Sequence, residues 1–114
     1  ISSDIYCRNR INGPVGSLAS VMSKFLAIGM SLPQVIDCVT ANAADGLRLA
    51  RKGRIQAGLD ADLTLFTIKR QPTVLTDAEN DSLQAEHILV PLAAIRAGKG
   101  YMTEQGSTEH AFDL

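Results

Sequence analysis

A change in hydrophobic period near Gly53 constrains the fold more than any other feature of this sequence. Before this glycine, apolar residues recur at spacings of three and four, which predicts amphipathic helices. The first helix is expected to have Ser17 as its N-cap and Gly29 just beyond its end, because these residue types are preferred there. Its apolar stripe consists of Leu18, Val21, Met22, Phe25 and Leu26.

Two further helices are predicted before the change of period. The segment Ser31-Leu32-Pro33-Gln34 fits a capping box, with serine at the N-cap, glutamine at N3 and proline in the first turn. The small residues and leucines of residues 42–49 predict another short helix that ends near Gly53. Residues 1–16 are rich in turn formers and are expected to be irregular.

After Gly53 the sequence favours strands. Residues 63–68 are apolar or β-branched and predict a strand. Residues 69–86 are polar, and we interpret them as mostly loop with a short strand at 73–76. Further along we predict an apolar strand at 87–96, a hairpin turn at 97–100 leading into 101–102, and a loose tail at 103–114.

The order of helices followed by three or four strands predicts an α+β fold for a free-standing domain. Such a small sheet leaves its edges open, and a fragment of a larger protein explains it better. The chain starts at Ile1 without an initiator methionine, which also favours truncation. A mature processed terminus is the alternative interpretation.

Composition excludes several classes of protein. The 114 residues suffice for one small domain, and a net charge of −1 gives no electrostatic preference for nucleic acid or an anionic membrane. No apolar stretch approaches the roughly 18 residues of a transmembrane helix. Cys7 and Cys38 make no disulfide framework; we interpret them as buried thiols of a cytoplasmic protein, with a single disulfide as the alternative.

Three stretches of the sequence resemble one family. The first is Ser2-Ser3-Asp4, followed by residues 9–15 and the two capped helices. The second, residues 39–44, is similar to a "TxNPA" helix but has Ala43 in place of proline. The third, residues 52–63, is similar to a "GxIxxGxxADL" segment. Together they resemble the C-terminal part of the amidohydrolase superfamily of metal-dependent hydrolases, in its dihydroorotase and deacetylase group. The resemblance covers roughly residues 1–102.

This resemblance implies an α/β fold, in which the chain would be the C-terminal fragment of a TIM-barrel amidohydrolase. Residues 1–50 would be the end of the barrel, with the end of its eighth strand and the following helices. Residues 51–104 would be the C-terminal segment of a small accompanying β-sandwich, and residues 105–114 a tail. In isolation the fragment would look α+β.

The resemblance also implies the site residues. Asp4 matches the aspartate that binds metal and shuttles a proton at the end of the eighth strand, a place where catalytic residues of TIM barrels lie. A carboxylate there can take a proton from the attacking water and deliver it to the leaving nitrogen. The turn Asn12-Gly13-Pro14 follows and suits a loop that binds substrate. Arg8 and Arg10 are interpreted as solvated loop charges, with pairing to a substrate carboxylate as the alternative.

The resemblance implies further metal ligands, namely a His-x-His pair on the first strand, usually a carboxylated lysine, and two further histidines, and none of them is found in this sequence. The two histidines, His87 and His110, lack a metal-ligand spacing. Asp60 and Asp62 invite a metal interpretation, but we expect them to shape the turn before a strand, with Ala61 and Leu63 facing a buried side. The fragment alone is therefore expected to be inactive and without a metal, while the intact enzyme would use a divalent ion such as zinc.

Three hypotheses for function follow. The first is part of a hydrolase that cleaves a C–N bond of a cyclic amide or N-acyl compound, with a small-molecule substrate. The second is a non-catalytic scaffold or oligomerisation module, and the third is an independent small α+β binding domain. The apolar stripe of the first helix, exposed without a barrel, predicts self-association or a homo-oligomer.

Overall fold

The computed structural model describes residues 1, 17–76, 79 and 81–102. Three helices come first: α1 (Leu18–Ala27), α2 (Leu32–Val39) and α3 (Ala41–Gly46). Three strands follow: β1 (Leu63–Thr76), β2 (Ser82–Arg96) and β3 (Lys99–Met102), in the sheet order β1-β2-β3. This order confirms the α+β appearance predicted for the isolated chain. Residues 2–16 and the tail after residue 102 lie outside the described residues.

The ends of α1 and the start of α2 are as predicted. The Ser17 hydroxyl accepts a hydrogen bond from the Ser20 amide at 3.1 Å, and Gly29 follows the helix with a φ of 108°. At α2, the Ser31 amide donates to Gln34 Oε1 at 3.0 Å, while the Gln34 amide donates to Ser31 Oγ at 3.3 Å. These reciprocal bonds satisfy amide groups that a helix start leaves without intrahelical partners.

The third helix is shorter than predicted and ends at Gly46 rather than near Gly53. Arg48 adopts a left-handed conformation with a φ of 57°. This turn brings the Leu49 amide back to the Ala44 carbonyl at 2.8 Å. A bond of this kind satisfies a carbonyl of the last helical turn and stops the helix.

The predicted loop at residues 69–86 is wrong, because β1 continues to Thr76 and β2 begins at Ser82. Within residues 69–86, the short strand predicted at 73–76 is present, as the end of β1. Pro72 is tolerated because β1 lies at an edge of the sheet. Residues 70–72 are exposed, and exposed Val74 lies between half-buried Thr73 and buried Leu75, so the polar composition belongs to a strand with one side largely exposed.

The predicted hairpin is present, but its turn is tighter than expected. Ala97 and Gly98 alone form the turn, with φ values of 50° and 79°. Two consecutive positive φ values are those of a type I′ turn, whose twist suits antiparallel strands. The strands pair from Arg96 opposite Lys99 to Ala93 opposite Met102, so Lys99 belongs to β3, where it is exposed.

The chain divides into two compact units, and each is described by itself. The first contains the described residues of Ile1–Ile36 and Ile68–Leu89. Its core consists of Val21, Met22, Val35, Leu75, Ala85 and Leu89. The expected exposure of the α1 stripe is therefore wrong for its centre, since Val21 and Met22 are buried, and only Leu18 of the stripe is exposed.

Ser23 is the buried polar residue of this first unit, with 1% of its surface exposed. Its hydroxyl donates to the Ala19 carbonyl at 2.9 Å and accepts from the Leu89 amide at 3.0 Å. One side chain thus satisfies groups of both α1 and β2. Nearby in the same unit, Lys24 Nζ donates to the Thr76 carbonyl at 2.6 Å.

The second unit contains the described residues of Asp37–Thr67 and Val90–Leu114. Its buried apolar residues are Ala44, Leu92 and Ala93, which make a small core. Large apolar side chains are exposed here, including Leu47 and Ile55, the latter at 89%. Such a unit has to rely more on polar contacts than the first. Among the described residues, no helix is both long enough and apolar enough to cross a membrane.

Replacing Ser23 by alanine should destabilise the protein by about 1–3 kcal/mol, because the buried Leu89 amide loses its acceptor. Urea unfolding followed by circular dichroism measures this change. Ser20→Ala, at a half-buried position of the same helix, is the matched control and should change stability by less than about 0.5 kcal/mol. Equal effects of the two substitutions would contradict a role for the bridge.

Candidate functional site

Four charged residues of the second unit gather where the loop after α3 meets the β2–β3 turn. Arg51, Lys52, Asp60 and Asp62 form this group, which we call the ionic clasp. The loop folds back because the Asp60 amide donates to the Arg51 carbonyl at 3.1 Å. Within this loop, a hydrogen bond between residues three apart, from the Leu59 amide to the Gln56 carbonyl at 3.2 Å, makes the turn that contains Gly58.

Both carboxylates of the clasp are paired with cations. Arg51 Nε lies 3.0 Å from Asp60 Oδ1, and Lys52 Nζ lies 3.1 Å from Asp60 Oδ2. Lys52 Nζ also donates to Asp62 Oδ2. A single ammonium group therefore joins two carboxylates that are two residues apart in the sequence.

Asp62 also connects the loop with the hairpin. Its Oδ1 accepts a hydrogen bond from the Ala97 amide at 2.9 Å. Beside it, the Ala61 carbonyl accepts from the Gly98 amide at 3.1 Å. Both amides of the two-residue turn are thereby bound by consecutive residues of the loop. An open cleft of about 540 Å³ lies along this junction and is lined also by Leu59 and Arg96.

The electrostatics of the clasp hold each group in its charged form. Hydrogen bonds to Asp62 and Asp60 raise the pKa of Lys52. Hydrogen bonds from Lys52 and Arg51 lower the pKa of Asp60, and those from Lys52 and the Ala97 amide lower the pKa of Asp62. A charged ammonium is a poor nucleophile, and a carboxylate whose pKa is lowered is both a poor proton donor and a weak base. The clasp is therefore suited to holding the backbone and not to acid–base chemistry.

This geometry supports the interpretation of Asp60 and Asp62 as residues that shape the turn before β1. The reason given for it is only partly right, because Ala61 is exposed and does not face a buried side. Sequence reasoning missed the partners of the two carboxylates. The positive charges of Arg51 and Lys52, which precede the turn-rich loop, and the negative charges of Asp60 and Asp62, which follow it, could have suggested the ion pairs. No local signal indicates the bond that the Ala97 amide donates to Asp62, 35 residues earlier in the chain.

A second ion pair and a close backbone contact fix the start of the same loop. Arg54 binds Asp45 through two parallel hydrogen bonds of 2.9 and 2.8 Å, which lowers the pKa of the Asp45 carboxyl. Gly53, which directly precedes Arg54, has a φ of 84°. A β-carbon at this position would lie 2.7 Å from both Ala44 Cβ and the Thr40 carbonyl oxygen. Only glycine fits at this position.

The described residues do not fit a metal centre. Within residues 1, 17–76, 79 and 81–102, no group of three or more His, Cys, Asp or Glu side chains could hold an ion. His87 is exposed on β2, and both clasp carboxylates bind cationic side chains. The predicted ligand Asp4 and the predicted substrate loop Asn12-Gly13-Pro14 lie outside the described residues, as do Arg8, Arg10, Cys7 and His110, so these assignments stay predictions.

Gly53→Ala should destabilise the protein by more than about 2 kcal/mol, since it adds a steric clash to a left-handed backbone. Gly58→Ala is the matched control, because Gly58 has a similar φ of 90° but open space around it. Its cost should be about 1 kcal/mol, from the backbone conformation alone. Urea unfolding measures both, and equal losses would show that the contact with Ala44 and Thr40 is unimportant.

Acid should weaken the second unit through its aspartates. Because their pKa values are lower in the folded state, Asp45, Asp60 and Asp62 stabilise the fold above the unfolded carboxyl pKa of about 4, and this stabilisation is lost as the pH falls through the folded values. Lys52, whose pKa is raised by Asp62 and Asp60, stays charged throughout this range, so the loss of these pairs in acid comes from protonation of the aspartates and their loss at high pH from strong alkali alone.

The urea midpoint measured from neutral pH down to about pH 2 should therefore fall most steeply below about pH 4. Asp60→Asn should start from a lower midpoint and show a shallower decline. Asp37→Asn, at an exposed aspartate of α2 outside the clasp, should keep the wild-type profile. A profile for Asp60→Asn parallel to the wild type would refute the contribution of the clasp.

Comparisons with known proteins relate this fold to enzymes. A family model described as a deacetylase-like composite domain matches residues 55–101, which include Asp60, Asp62 and the β2–β3 turn. A deacetylase of Enterococcus faecalis is 42% identical over 101 residues, which cover 89% of this chain and 27% of the relative. The chain thus spans about a quarter of the length of this relative.

Two solved structures share the fold. A crystal structure of an adenine deaminase matches with a TM-score of 0.83 and 40% identity, over 88% of this chain and 27% of that one. A crystal structure of a dihydroorotase matches with a TM-score of 0.73 and 30% identity, over 82% and 25%. The resemblance seen in the sequence is confirmed by the family model, the relative and both structures, and the chain belongs to the amidohydrolase superfamily.

Proposed function

We propose that this chain is part of a metal-dependent hydrolase that cleaves a C–N bond of a cyclic amide or an N-acyl compound. The observation that carries the proposal is the match to the adenine deaminase structure, at a TM-score of 0.83 and 40% identity. Removal of an N-acetyl group, deamination of adenine and opening of the dihydroorotate ring all break a C–N bond with water. Because the three names share this bond and differ in substrate, the proposal extends to the reaction class and not to one compound.

The proposed whole protein is larger than the chain. The chain corresponds to about a quarter of the Enterococcus faecalis deacetylase and of the dihydroorotase, 27% and 25% of their lengths. We assign residues 1–50 to the end of a TIM barrel and residues 51–104 to the accompanying small β-sandwich, with residues 105–114 as a tail. The clasp and the β2–β3 hairpin would then belong to the sandwich, away from the strand ends where TIM barrels carry their catalysis.

Catalysis in this proposal depends on residues outside the described part of the chain. The clasp residues are held in charged pairs, and the described residues form no cluster that fits a metal. We therefore assign the divalent ion, zinc or a similar metal, to the intact protein and none to the fragment, which would be inactive alone. Asp4 is proposed as a ligand of that ion and as the carboxylate that moves a proton from water to the leaving nitrogen. Asn12, Gly13 and Pro14 are proposed to bind substrate.

Location and assembly complete the proposal. We place the protein in the cytoplasm, where the half-buried Cys38 thiol would stay reduced. We further propose that it self-associates as a homo-oligomer. The centre of the α1 stripe is buried, so the support for self-association comes instead from the exposed apolar side chains of Leu47 and Ile55.

Asp4→Asn in a longer protein that contains this chain and a full barrel should lower turnover by about 10²–10⁴-fold, the usual contribution of a positioned acid–base group. Activity is measured on a panel of N-acyl and cyclic amide substrates, with metal content by elemental analysis. Asp37→Asn, at an exposed aspartate of α2, is the control and should keep full activity.

The same measurements separate the alternative function. If the longer protein contains a divalent metal and turns over, while the 114-residue chain does neither, the enzyme proposal stands. A longer protein that is inert and metal-free would instead indicate a non-catalytic scaffold or oligomerisation module with the same fold. Full activity of Asp4→Asn in an active protein would overturn the role of Asp4 alone.

A further inference from the structure

Asp62 is placed differently from the other aspartates of the second unit. Asp45 and Asp60 pair with cations of the same loop region, whereas Asp62 uses one oxygen for Lys52 and the other for the Ala97 amide of the β2–β3 turn. The two ends of this bond are 35 residues apart, so the bond closes a long loop of chain. The carboxylate is thus both an ion-pair partner and a tertiary contact.

Apart from the pairing of β2 with β3, little else holds the hairpin tip. Ala97, Gly98, Lys99 and Gly100 are all exposed, so almost no apolar burial stabilises the turn. Ala97 has a positive φ of 50°, which costs free energy in a residue with a β-carbon. Segments with few buried contacts open locally at a lower free energy than the whole fold. Besides the pairing of β2 with β3, the turn is therefore restrained by the bonds that the Ala97 and Gly98 amides donate to Asp62 and Ala61.

Positive charges flank the β2–β3 turn, and the Asp62 carboxylate lies where it can offset them. Arg96 and Lys99 lie directly opposite each other at the end of the hairpin, and like charges in that position repel. Asp62 faces Lys52 and Asp60 from its own loop, with Arg51 beyond Asp60, and it faces Arg96 from β2. Its negative charge offsets part of the repulsion between the two strand-end cations.

We propose that Asp62 is an ionic latch, whose charge keeps the β2–β3 turn closed on the loop of residues 51–62 and whose neutralisation lets the turn open while the rest of the fold persists. The loop and the turn are both within or next to the segment matched by the family model, residues 55–101. This inference concerns local stability and does not depend on the proposed enzymatic activity. It predicts that the turn responds to salt and acid before the first unit does.

Amide hydrogen exchange on the full 114-residue chain, followed by NMR, tests the latch. In Asp62→Asn the Ala97 and Gly98 amides should exchange about tenfold faster or more, because the neutral side-chain oxygen is a weaker acceptor and the pair with Lys52 is lost. The Leu89 amide, which donates to Ser23 in the first unit, should stay within about twofold of the wild type. Asp45→Asn, which breaks the Arg54 pair without touching the turn, is the matched control and should leave Ala97 unchanged.

A salt titration of the unmodified chain keeps the test decisive if the variant unfolds. Raising the salt from about 0.05 to 0.5 M shortens the screening length, so the Ala97 and Gly98 amides should exchange severalfold faster while Leu89 changes little. Unchanged exchange at Ala97 in both experiments would overturn the latch, because the hydrogen bond would then not need the charge. Equal acceleration at Ala97 and Leu89 would also overturn it, because opening would be global.

Discussion

The hydrogen bond from the Ala97 amide to the Asp62 carboxylate joins the two parts of the second unit that are most distant in sequence. The loop before β1 could fold on itself through Arg51 and Asp60, and the hairpin could form through its own turn. Without the Asp62 contact, the bond from the Gly98 amide to the Ala61 carbonyl and the pairing of β1 with β2 would remain to connect them. The core of the second unit is small and consists of Ala44, Leu92 and Ala93. Polar contacts therefore have to supply part of the stabilisation that apolar packing supplies in the first unit.

The segment similar to the family motif has a structural explanation at most of its positions. Gly53 fits against Ala44 and Thr40, Gly58 adopts a left-handed conformation in a turn, and Asp60 and Asp62 are paired. Ile55 is the exception, because it is exposed and nothing in the described chain accounts for it. A sequence motif that identifies a family of enzymes can therefore mark a place where backbone geometry, and not chemistry, restricts the residues.

Local signals predicted the local parts of the fold. The Ser31–Gln34 capping box and the Ala97–Gly98 turn were visible because their interactions lie within a few residues. The length of β1 was not, because Lys69 to Pro72 are poor strand formers and only the position at a sheet edge makes them acceptable. The contact of Asp62 with Ala97 also depends on the folded chain, and no spacing rule reaches 35 residues. The family resemblance located Asp4, which residue chemistry alone would not have distinguished from other aspartates.

The composition of β1 has a consequence for how molecules of this protein meet one another. In the described chain β1 is an edge strand, and the exposed edge of a long strand is a template on which another polypeptide can align. Lys69 and Arg70 bring positive charge to the middle of that edge, and Pro72 lacks an amide hydrogen that a neighbouring strand would need. The residues that made the strand hard to predict are therefore the ones that disfavour intermolecular strand addition and the aggregates that grow from it.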